Sequence, residues 1–125
     1  MRPSIQSSIA FEPNPEGFTP LKKNLEQLPF SADAIPKRVM DFEGRGTLVI
    51  PHDGGDFAAN FIQPCDNGAI PIITIDSLSI RDANLGLRID IAGGELAALE
   101  GAGQTIRSAN SIVVGLWQQK NNDEE

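Results

Sequence analysis

Cysteine occurs once in this chain, at Cys65, so no internal disulfide can form. Histidine also occurs once, at His52, and tyrosine not at all. One cysteine and one histidine cannot supply a common zinc set, which takes three or four such ligands. A thiol nucleophile also needs a nearby base, so Cys65 beside Pro64 reads as a plain small side chain. No stretch approaches the roughly 18 apolar residues of a membrane helix. The first ten residues carry a basic residue but no apolar core of the kind a signal peptide uses, so synthesis and folding in a reducing cytoplasm are expected. Neither a dinucleotide-binding glycine motif nor a P-loop is present, and no serine lies in a G-x-S-x-G elbow. An enzyme, a cofactor and a metal are therefore not expected.

What the 125 residues do contain is unevenly spread. Six of the nine prolines lie in the first 37 residues: Pro3, Pro13, Pro15, Pro20, Pro29 and Pro36. Residues 38–117 hold the dense apolar runs, and residues 118–125 have no apolar side chain. The division implied is an arm (1–37), a domain of about 80 residues (38–117) and an acidic, disordered tail (118–125). A domain of that size buries only about 60% of its unfolded surface and benefits from association. The arm is electrically neutral, the domain carries −5 and the tail −2. An acidic surface with no basic patch repels phosphate, so direct nucleic-acid binding is not expected, nor is a membrane partner.

In the arm, prolines at 13 and 15 rule out helix or central strand around them. Thr19-Pro20 reads as a helix start, with Leu21, Leu25 and Leu28 on one face and Pro29 as the stop. So short a helix must dock, either on its own domain or on a neighbour. The body reads as strands at 46–50, 57–62, 70–75 and 111–117. The strict alternation through Leu85, Leu87, Ile89 and Ile91 predicts a hairpin over 78–91, with Ile80 opposite Leu87 and Leu78 opposite Ile89. Residues 95–100 read as one helical turn or a loop, ended by Gly101-Ala102-Gly103. Many short strands and turn signals imply an all-β fold, a small antiparallel sandwich or barrel behind an extended arm with one short helix.

Residues 51–56, Pro-His-Asp-Gly-Gly-Asp, are the one segment with the look of a site. They could suit a divalent cation or acid–base chemistry, but read first as a tight turn between the strands at 46–50 and 57–62. Asp76, Asp82 and Asp90 read as solvated carboxylates. Trp117 either caps the core or anchors a partner. The partner-binding candidates are Phe11, Phe18, Leu21, Leu25, Leu28 and Trp117.

An extended arm joined to a small β-module, in residues 11–20, 46–51 and 108–117, resembles the small accessory proteins of tailed-phage virions: capsid cement, head–tail or tail components. The resemblance implies a non-enzymatic assembly protein that docks through its arm onto other protein subunits, its own copies included, and resides in a virion. A carbohydrate- or Ca²⁺-binding β-module, built on the 52–56 loop and Trp117, is the alternative.

Overall fold

Asn14 and Pro15 set the first helix. A computed structural model describes residues 5–49, 61–81, 84–91 and 93–115. Strand β1 (Ser7–Phe11) leads into helix α1 (Pro15–Leu25), which returns to β2 (Ser31–Ile35). The Asn14 side chain accepts the Glu16 amide at 3.0 Å, and Pro15 fills the first helical position, where a missing N–H costs nothing. Glu16 in the first turn and Lys22 and Lys23 in the last suit the helix dipole. The expected start at Thr19-Pro20 is therefore displaced. Pro20 lies inside the helix, and Leu28 lies beyond its end. Nor is the arm extended: β1 and β2 pair in parallel from Ser7 beside Ser31 to Phe11 beside Ile35, with α1 packed on β2.

Strands β3 (Arg38–Val39), β4 (Gly44–Val49), β5 (Phe61–Pro64) and β6 (Ile70–Ile73) make a four-stranded sheet in the order β3-β6-β4-β5. The β4–β5 and β4–β6 pairs are antiparallel, and β3–β6 is parallel. A 3-10 turn at Asp76–Leu78 follows, then β7 (Gly86–Ile89), helices α2 (Glu95–Glu100) and α3 (Gly103–Ser108), and β8 (Ser111–Val114). β7 and β8 form a second two-stranded parallel ribbon.

The content is thus mixed α/β, and an all-β antiparallel sandwich or barrel is ruled out. The expected hairpin is absent as well: Leu78 lies in the 3-10 turn, and β7 pairs with β8 instead. The alternation argument required an apolar residue opposite each apolar residue. Leu87 beside Ile112 and Ile89 beside Val114 meet that requirement. Alternation fixes which face a residue takes; it does not choose the partner strand.

The core has two clusters around β6. Ile70 and Ile72 pack with Ile62, joined by Met40 and Leu48. The other cluster gathers Val39, Ile75, Ile89, Ala98 and Ala102, with Phe11, Ile73 and Leu87 against it. Gly101, which the sequence suggests as a break, is held there because the backbone passes against the Met40 carbonyl, where a side chain would collide. Gly101 also accepts the Asp76 amide at 2.9 Å. Among the described residues no helix is long and apolar enough to cross a membrane.

Candidate interaction surface

The two parallel ribbons expose apolar residues that nothing among the described residues covers. In the C-terminal ribbon Leu87 and Ile89 turn toward the core, which puts Arg88 and its register partner Val113 on the outward side. Val113 is 59% exposed, and Ile112, at the rim, is exposed as well. In the N-terminal ribbon Ile9, 45% exposed, lies beside Asp33, which is also exposed. Leu96 on α2 is open at 70%. Each ribbon has one strand with a mid-strand charge (Asp33 in β2, Arg88 in β7) and one with none (β1 and β8). Uncharged, unpaired strand edges are templates for strand addition.

The expected docking residues fall into three groups. Phe18, Leu21 and Leu25 are half-buried on α1, spaced i, i+3, i+7 along one face, and α1 has no fully buried residue. Leu28 is exposed beyond the helix, apart from that stripe by secondary structure. Phe11 packs against the core cluster, so it serves the chain's own fold. Trp117, the 52–56 loop and Asp82 lie outside the described residues. Cys65 is exposed and free.

A buried cation of the central sheet lies in the field of a glutamate from beside each ribbon. Arg38 on β3 is buried, with its guanidinium against Gly94 and its Nε without a hydrogen-bond partner. Burial lowers its proton affinity, opposed by the charges of Glu95 and Glu12. Those glutamates belong to the segments flanking the two ribbons, so one cation faces an anion from each. Glu95, itself buried, accepts the amides of Gly93 (2.9 Å) and Ile91 (3.3 Å) and closes the turn into α2. Asp76, expected to be a plain solvated carboxylate, caps α3 from across the chain. It accepts the Thr105 amide and hydroxyl, both at 2.9 Å, and the Gln104 amide at 3.1 Å. Burial pushes its carboxyl up, but those bonds and the charge of Arg107 outweigh this and hold it below the usual range. A shallow polar depression of about 290 Å³ adjoins it, lined by Ser79, Arg81, Gln104 and Ser108. Asp90 is exposed, 3.9 Å from Arg88, a contact worth little in water.

No protein-family model, curated protein or solved structure matches this chain. The surface residues that sequence reasoning missed are Ile9, Asp33, Arg88, Ile112 and Val113. A signal for the last two was present: residues 108–119 form a window of twelve without a charge, rich in β-branched side chains and free of proline.

Proposed function

We propose that this chain is a non-enzymatic structural part that docks onto other protein subunits, in the manner of the small accessory proteins of tailed-phage virions. The observation that carries this reading is the pair of two-stranded parallel ribbons whose edges and exposed apolar residues have no cover among the described residues. Parallel sheets are ordinarily covered on both faces, and two strands alone are marginal in water. Ribbons of this kind become ordinary sheet when another subunit extends or covers them. The half-covered stripe of Phe18, Leu21 and Leu25 adds a second apolar contact beside the N-terminal ribbon. On this reading the protein is made in the cytoplasm and carried in a virion, its partners are proteins, and it contacts neither nucleic acid nor lipid directly.

The test is sedimentation of the full chain from its native source. It should travel with a particle many times its own 13.4 kDa. Ile9→Asp combined with Val113→Asp should release it to the top of the gradient without lowering its melting temperature. An unaltered chain that sediments alone at 13.4 kDa would overturn the proposal.

A further inference from the structure

The two ribbons are built to the same plan but carry opposite charges. Ser7 lies beside Ser31 in one and Gly86 beside Ser111 in the other, so their strand–helix–strand connections are nearly equal in length. Two residues before Phe11, on the face that Phe11 carries to the core, the N-terminal ribbon presents an exposed aliphatic residue, Ile9, next to an exposed carboxylate, Asp33. The C-terminal ribbon presents an exposed aliphatic residue, Val113, next to a guanidinium, Arg88. Apolar matches apolar, and anion matches cation. Among the described residues Arg88 has one ion-pair contact, a loose and exposed one with Asp90 at 3.9 Å, so a better-placed carboxylate can take it over.

We propose that the occupant of these surfaces is a second copy of this chain, docked head to tail, with the Ile9/Asp33 ribbon of one copy against the Val113/Arg88 ribbon of the next. This deepens the assembly reading above and rests on it. The contact is between two different surfaces, so each copy that docks leaves one of each surface open, and growth continues into an open row or closes into a ring. The local charge match explains how a protein of net charge −7 approaches its own copies: the general repulsion is offset where Arg88 meets Asp33. Neither β1 nor β8 contributes a charge to the joint.

Salt alone is a poor probe, because it screens the attraction and the general repulsion together. Charge exchange is specific. The mass of the full chain is measured by light scattering over a range of concentration, for the unaltered protein, for Asp33→Arg, for Arg88→Asp and for an equimolar mixture of the two variants. Both positions are exposed, and matching thermal melts confirm that the variants are folded. The unaltered chain should rise above 13.4 kDa with concentration. Each variant alone sets like charges against each other and should associate on the order of a hundredfold more weakly. The mixture should regain mass, because each variant then supplies the charge the other lacks. Variants that associate like the unaltered chain, or a mixture that stays monomeric, would overturn the joint. An unaltered chain that is monomeric here yet sediments with its native particle would overturn self-docking and leave the assembly reading standing. Failure in both assays would remove both.

Discussion

The two strand–helix–strand units share a connection and differ in what their helices touch. α1 has no fully buried residue and covers its ribbon with a half-exposed stripe, whereas α2 and α3 place Glu95, Ala98 and Thr105 in the interior. Ala98 and the adjoining Ala102 have no solvent exposure at all. The C-terminal unit therefore belongs to the core. The N-terminal unit is attached through Phe11 and through the charge of Glu12 facing Arg38. Similar connectivity thus gives one unit that stabilises the fold and one left near the low end of local stability, where surfaces that rearrange on binding are usually found.

Substitutions in the helices should separate the two units. Ala98→Leu forces extra methylenes into a filled site and should cost about 1–3 kcal/mol by urea denaturation. Leu25→Ala, on the half-exposed stripe of α1, should cost less than about 1 kcal/mol. Equal costs would mean that α1 is as much a part of the core as α2.

An effect smaller than that of Ala98→Leu is expected at the cap of α3. Asp76→Ala removes the acceptor for Gln104 and Thr105 and should cost about 0.5–2 kcal/mol. The pH dependence carries the same information. Because the Asp76 carboxyl is held below the usual range, its contribution is fully present above about pH 4 and is lost as the pH falls through the lowered value. Asp76→Asn should therefore flatten the acid limb of a stability–pH curve and leave the limb above neutral pH unchanged. A variant with the same acid limb as the parent would remove Asp76 from that role.

Much of the strand placement was legible because runs such as Ile70-Pro71-Ile72-Ile73 have few other ways to bury themselves. What stayed hidden was partner choice. Leu87 and Ile89 announce a buried face, yet β8, about 25 residues along the chain, satisfies that face as well as Leu78 and Ile80 would. The short helices were obscured by Gly101 and Gly103, which read as breakers; Gly101 instead allows close approach to β-strand backbone at Met40. In the arm, the prolines at 13 and 15 were expected to exclude helix, yet one begins there because the Asn14 side chain reaches the Glu16 amide and Pro15 takes the first helical position. Of the expected docking residues, Phe18, Leu21 and Leu25 share a half-exposed face, while Phe11 turned inward. Asp33 and Arg88 could not be singled out without the register that sets each beside an exposed aliphatic residue.

Hydrogen exchange on the full chain, free and in its native particle, tests most directly whether the ribbons are the joints. Amides of Ser7–Phe11 and Ser111–Val114 should exchange at least about tenfold more slowly in the particle, because their edges and faces become covered. Those of Ile70–Ile73, already interior to the four-stranded sheet, should be unchanged. Exchange in both ribbons that is the same free and assembled would contradict the account.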